Sequence, residues 1–249
     1  MRNGARLIIG SGSLVVIANS FISENAEILA FDEPANSGAD ATEPGSDGKD
    51  GFHGQRGGRV TMELGKLEVV QGSSELFLDL RGQKGGDGGN GSTGTKGATG
   101  NPGKEAIEGG YPDINGGGWR RTCDQSPTNG ARGGTGNSGG NGGTGGNGGI
   151  GGAAIISIAT EGASKVKIVD QKSEFGVLGK GGDGGEGGDG GAAGYKHKRN
   201  ICARSADPGE PGPKGEPGED GEDGIGGDAP RIVISDGGTQ TILGRDLHS

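Results

Sequence analysis

Aromatic residues are almost missing: five Phe, two Tyr and one Trp in 249 positions, with only 27% of the chain hydrophobic. So few large apolar side chains exclude an ordinary globular core for a chain this long, because burial must offset the entropy of ordering the backbone. No run approaches the roughly 18 apolar residues of a membrane span, so none is expected. Positive charge is also short, with 24 Lys and Arg against 33 Asp and Glu, a net charge of −9 and a pI near 4.9. That balance excludes a general nucleic-acid binder, whose body is basic. There are three histidines, His53, His197 and His248, in unrelated regions; none forms a pair at metal-ligand spacing. No nucleophile–base constellation is visible, so the chain reads as a non-enzyme without metal or cofactor. Gly-x-Gly-x-x-Gly recurs only as a by-product of the glycine period and never joins a strand to an α-helix, the context a dinucleotide site needs.

Glycine is what the chain has in excess, at 64 residues. Unordered, such a composition gives disorder. These glycines, however, keep a strict spacing of three: from Gly82 to Gly103 and from Gly130 to Gly151, then from Gly176 to Gly194 and from Gly209 to Gly227, with a shorter run from Gly45 to Gly57. The runs come in matched lengths, as an outgoing and a returning arm must. A period of three is that of the polyproline II helix, which rises about 3.1 Å per residue without internal hydrogen bonds, so residues 82–103 would extend roughly 65–70 Å. A collagen-like trimer uses the same period, and residues 209–227 have its Gly-Glu-Pro-Gly-Pro-Lys composition. The other runs are Gly-Gly-x with almost no proline, which favours a lateral bundle of antiparallel arms. There the missing Cβ lets backbones approach and bond one another.

Between the arms lie short runs with strand periodicity. Val60, Met62, Leu64, Leu67 and Val69 alternate, followed by Leu76, Leu78 and Leu80; Ile156, Ile158, Val166 and Ile168 form another run, and Ile232, Ile234 and Ile242 a third. At the N-terminus, residues 6–21 have the basic start and apolar stretch of a secretory leader. Gly10-Ser11-Gly12-Ser13 interrupts the stretch and no cleavage site follows, so a first β-hairpin is the reading preferred. The expected fold is mostly non-α: an antiparallel polyglycine II/polyproline II helix bundle, interleaved with short β-hairpin modules that form a stacked β platform. One composite domain, 1–249, is divided into β modules 5–31, 58–81, 152–178 and 230–244. The glycine-rich arm pairs are 32–57, 82–151 and 176–229, with connecting tips 104–129 and 195–208.

On the Gly-Gly-x repeat, the arms resemble those of polyglycine II/polyproline II helix-bundle proteins. These are the receptor-binding adhesins at the tips of T-even-like phage tail fibres and the springtail (snow flea) antifreeze proteins. The resemblance covers about half the chain and implies a rigid bundle used for recognition or for ice binding. The interleaved β modules depart from both, and no binding residue carries over.

Every Trp, Tyr and Cys falls in a tip. The long tip holds Tyr111, Trp119, Arg120, Arg121 and Cys123; the short one holds Tyr195, Lys196, His197, Lys198, Arg199 and Cys202. Each cysteine lies seven residues before the first glycine of its returning arm, Gly130 and Gly209. Arms rising from a common platform would bring both to similar height, which predicts a Cys123–Cys202 disulfide and an oxidising, extracellular setting; free thiols in a reducing compartment are the alternative. The tip aromatics and cations either engage a ligand or plug the open end of the bundle, and the sequence allows both.

The functional expectation is a rigid adhesin-like scaffold on a cell or virion surface, displaying basic, aromatic tips to a surface glycan or protein receptor. A structural subunit of a filament, coat or matrix, assembling as a homo-oligomer, is the alternative. Ice binding is a third, from the row Thr135, Asn141, Thr144 and Asn147. Asp183, Glu186 and Asp189 read as a solvated face.

Overall fold

The computed structural model describes residues 1, 4–160, 162–194, 201–202 and 205–244. Its only helical element among these is a 3-10 turn, Ala163–Lys165. The N-terminal module forms β1 (Arg6–Ile8), β2 (Ser13–Ser23) and β3 (Glu27–Leu29); the second forms β4 (Arg59–Val69) and β5 (Leu76–Asp79). The long tip contributes β6 (Ile107–Asp113) and β7 (Gly118–Gln125), the third module β8 (Ala153–Ile158) and β9 (Val166–Val169), and the last β10 (Arg231–Asp236) and β11 (Thr239–Gly244).

The first three modules are not the hairpins expected, whereas the last, β10–β11, is one. Strands are mostly parallel, in a four-stranded sheet β1-β3-β5-β9 and a five-stranded sheet β11-β10-β8-β4-β2; only β10–β11 and the two-stranded β6–β7 are antiparallel. Each of the first three modules sends one strand to the larger sheet and the next to the smaller. The apolar pattern explains why. Val60, Met62 and Leu64 alternate on β4, and Leu76, Leu78 and Leu80 alternate on and just after β5. As a hairpin, both runs would fill one face of one sheet and leave it uncovered. Divided between two sheets, the runs bury against each other, and all of these side chains are at most 4% exposed.

Parallel pairing without offset stacks like on like. Leu14, Val60, Ala154 and Ile232 form one inward row across β2, β4, β8 and β10, and Val16, Met62, Ile156 and Ile234 form the next. Each fully buried aliphatic in these rows contributes roughly 1.5–3 kcal/mol. These rows, with Ile28, Leu67, Leu76, Leu78 and Leu80, make one small core, while other large apolar residues, Phe52, Trp119 and Phe175 among them, are exposed.

The glycine-rich segments form neither strand nor α-helix, yet their backbones are bonded throughout. The outgoing arms (33–44, 82–103, 174–194) make one row: Ala35 and Gly38 donate N–H to Lys84 and Asp87, and Gly88, Gly91 and Gly94 donate to Val177, Lys180 and Asp183. The returning arms (45–58, 130–152, 207–229) make the second row, in which Gly48 and Gly51 donate to Asn141 and Thr144, and Gly142 and Gly145 donate to Glu219 and Glu222. Antiparallel bonds join the rows, among them Gly143 to Gly89, Gly179 to Gly143 and Gly221 to Gly179. Donors recur at every third residue, with N···O distances from 2.7 to 3.1 Å.

The arm rows continue the sheets. Each of the three outgoing arms leaves the four-stranded sheet, and the returning arms run into β4, β8 and β10 of the five-stranded sheet. Facing sheets keep about 10 Å between them to house side chains, whereas directly bonded backbones cannot. The layers therefore converge where the core ends. Buried Ser173 fills this transition, donating its hydroxyl to the Gly149 carbonyl and accepting the Gly227 N–H.

Glycine density follows the number of neighbours an arm has. Arm 130–152 touches four others near the platform, and there its second glycines face the first returning arm: a Cβ on Gly143 would lie 2.1 Å from the Lys49 carbonyl oxygen. Beyond the end of that shorter arm the second position reads Asn137, Gly134 and Ala131, so two of three are no longer glycine. On arm 82–103, Gly86 and Gly89 face the 33–44 arm and give way to Ser92, Thr95, Ala98 and Asn101 where it stops. The last returning arm has two neighbours and needs one glycine per triplet, which accounts for its collagen-like sequence. Outward N–H groups are met by side chains of the adjoining arm: Asp47 and Asp50 accept from Asn141 and Thr144, His53 Nδ1 accepts from Asn147, and Asp87 and Asn90 accept from Val177 and Lys180. Asp and Asn at these positions are thus structural groups of the lattice.

Two glycines of one arm test this account. Gly143→Ala forces a Cβ against a carbonyl and should destabilise the fold by about 1–3 kcal/mol or more. Gly134→Ala, whose Cβ would be 3.1 Å from the Ala98 nitrogen and 3.3 Å from its carbonyl oxygen, should cost clearly less, since the contact is milder and lost unfolded-chain entropy offsets part of it. Thermal melts followed by circular dichroism separate the two; equal losses would refute the neighbour rule.

Candidate functional site

The long tip is a β-hairpin, an element its composition did not announce. β6 and β7 pair antiparallel from Ile107↔Gln125 to Asp113↔Gly118, with an irregularity between Ile107 and Glu108. The turn is organised by Asp113. Its carboxylate accepts the Asn115 N–H and the Arg120 Nε–H, its carbonyl accepts the Gly117 N–H, and Gly117 turns the chain with φ of 68°. At the base, Gln125 donates its amide to the Glu105 carbonyl, and Lys104 N–H meets the Thr128 hydroxyl.

Alternation on the strands sorts the expected site residues onto two faces. Trp119, opposite Pro112, and Arg121, opposite Gly110, share one face; Tyr111 and Arg120 are paired on the other. A Cβ at Gly110 would lie 3.6 Å from Trp119 Cε3, so the indole rests against a glycine backbone. Trp119 is 74% exposed and Tyr111 51%. These two rings therefore do not plug the arm end. Arg120 is held by Asp113 at 3.2 Å, while Arg121 has no ion partner among the described residues. The long tip is not basic by count: Lys104, Arg120 and Arg121 stand against Glu105, Glu108, Asp113 and Asp124. The basic cluster of the other tip, Lys196, Lys198 and Arg199 with Tyr195 and His197, lies outside the described residues.

The two tips are joined. Cys123 and Cys202 form a disulfide with Cα atoms 4.9 Å apart, as the matched spacing before Gly130 and Gly209 predicts. Cys202 is buried at 1% exposure against the hairpin base, where the Ile201 N–H also reaches Glu108 Oε1. The bond points to an oxidising compartment. No helix of the described residues is long and apolar enough to cross a membrane. No group of three or more His, Cys, Asp and Glu among them could hold a metal ion.

The row Thr135, Asn141, Thr144 and Asn147, expected as the candidate for ice binding, is exposed on the returning face. It is neither isolated nor free. Asp47, Asp50 and His53 bond its backbone from one side, and the Asn141 and Asn147 amide oxygens accept the N–H groups of Glu219 and Ile225 on the other. Asp189 pairs with Lys96 at 2.8 Å and Glu186 with Lys214 at 3.5 Å, both at the surface.

No family model, curated protein or solved structure matches this chain.

Removing the clasp should have a measurable cost. Cys123→Ser with Cys202→Ser releases a closure spanning 79 residues of sequence separation, and chain entropy puts the loss near 4–5 kcal/mol. Denaturant titration of the oxidised protein and the double variant reads it directly; unchanged midpoints would show that the tips are held by packing alone.

Proposed function

We propose that the six arms are polyglycine II/polyproline II helices forming one bundle, and that the bundle is a non-catalytic spike presenting its tip to a surface glycan or protein receptor. The three-residue recurrence of the inter-arm bonds supports the first part, because a threefold backbone brings equivalent N–H groups to the same side once per turn. One observation carries the second: Trp119 lies open at the end of the arms, backed by Gly110, beside an unpaired Arg121, on a hairpin clasped to the neighbouring tip. An exposed indole on a rigid support is costly to maintain in water and suited to stacking on a sugar ring or an apolar side chain. Tyr111 offers a second ring on the opposite face. The setting fitting the disulfide is extracellular, on a cell or virion surface.

Binding of labelled protein to glycan arrays and to whole cells tests the reading. Trp119→Ala should lower affinity by about tenfold or more, as loss of a central aromatic anchor does, and Arg121→Ala should lower it less. Retention of full binding by both variants would sink the tip assignment.

A second reading, a subunit of an extracellular filament or matrix, draws on the other end of the molecule. β2 is an 11-residue edge strand of the five-stranded sheet, with Val15 64% and Ile17 74% exposed. Long apolar edges invite pairing with another chain. Sedimentation that depends on protein concentration and is abolished by Val15→Lys would favour this reading, whereas a monomer at all concentrations excludes it.

A further inference from the structure

Seven of the lysines and arginines that are described pair with carboxylates, and the arginines left without a side-chain partner are mostly gathered in one place. Among the described residues, Arg6, Arg81 and Arg120 are paired with acids and Arg132 reaches the Pro211 carbonyl. The side chains of Arg56, Arg59, Arg121 and Arg231 form no hydrogen bond or ion pair there. Arg121 is at the tip; the other three line a single depression of about 270 Å³ where the returning arms enter the five-stranded sheet.

The placement follows from register. Arg59, Ala153 and Arg231 are in line across β4, β8 and β10, so two strand spacings, about 9.5 Å, separate the arginine backbones. Between them Ala153 presents only a methyl group, which leaves room above it. Arg56 comes from the last triplet of the first returning arm, and Gly151 and Gly152 complete the floor. A second depression of about 360 Å³ alongside shares Arg56 and Arg59 and adds Ser11 and Ser13. Among the described residues, no carboxylate lines either depression.

Three like charges lining one hollow repel one another, and no described residue lining it is acidic, although acids outnumber cations in the chain as a whole. We infer that this hollow binds a sulfate or phosphate group carried as an ester. The guanidinium forks match the oxygens of such a group in paired hydrogen bonds. The serine-lined depression beside them receives the part of the ligand that bears the ester. The site is at the platform, at the opposite end of the arms from Trp119, and is independent of the tip reading.

Calorimetry on the full chain at low ionic strength tests it, with glucose 6-sulfate, glucose 6-phosphate, inorganic sulfate, inorganic phosphate and glucose as probes. The esters should bind and glucose should not. R59A/R231A should weaken ester binding by about tenfold or more, and R59K/R231K by an intermediate amount, because the charge stays while the fork is lost. Lys167→Ala, which removes an exposed cation from β9 in the other sheet, is the control and should leave it unchanged. Inorganic ions binding as tightly as the esters would uphold the oxyanion site and assign it to the free ion. Failure of every oxyanion to bind at about 10 mM, or binding undiminished in R59A/R231A, would overturn the proposal. Both arginines are exposed, so a matching thermal melt confirms that the variants are folded.

Discussion

The architecture depends on one contact: a backbone N–H on one arm meeting a carbonyl on the next with no side chain between them. Each such bond contributes modestly in water, about 0.5–1.5 kcal/mol, but the arms have little else. Apart from Ala35 they bury no apolar side chain, so cohesion comes from the number of bonds and from the exclusion of anything that would part the backbones. Glycine here acts through volume. At Gly143 the space a Cβ would need is already occupied by a carbonyl oxygen, and the same holds wherever an arm has a neighbour on that side. The entropic cost of ordering so much glycine is the reason the lattice must be complete.

A lattice of this kind has no nucleus of its own, and the platform supplies one. The stacked rows of Leu, Ile, Val and Met form a compact core that fixes which arm lies beside which. Because the arms continue the strands, register set by Val60↔Ala154↔Ile232 in the core is passed outward without a break. At the far end the Cys123–Cys202 bond fixes the same register again. The arms are thus held at both ends, and exposed Trp119 sits on the hairpin that the second of these constraints fixes.

Much of this was legible in the sequence, for identifiable reasons. The glycine period exposes the arms, and their matched lengths expose the pairing, because a residue that must be glycine for steric reasons cannot drift. The cysteine partnership follows from equal distances to Gly130 and Gly209. Strand pairing was misread because alternation along Val60–Leu64 and Leu76–Leu80 states that each run has an apolar face and not which strand lies beside it; proximity in sequence suggested a hairpin, and burial required two sheets. The β6–β7 hairpin was hidden by its glycines and by Pro112, which carry almost no strand signal. The role of Asp47, Asp50 and Asp87 as acceptors for the neighbouring arm was also missed, since surface acids look alike until the N–H groups they serve are located. The arginine hollow needed three strands and an arm to be assembled before Arg56, Arg59 and Arg231 could be seen as one group.

The shared register has a consequence for how such a set of bonded arms can change size. Inserting one residue in one arm would rotate every later glycine away from its neighbour. Inserting three in one arm would keep the period but leave its partners a step behind. Length can therefore change only in whole layers, a triplet gained or lost together in every arm that reaches that height. The short first pair, which ends beside Ser92 and Ser138 while the others run on, shows that arms of unequal reach can share one lattice when the taller ones replace their idle second glycines with larger residues. Height is a quantised trait here, and the sequence of each arm records how tall its neighbours are.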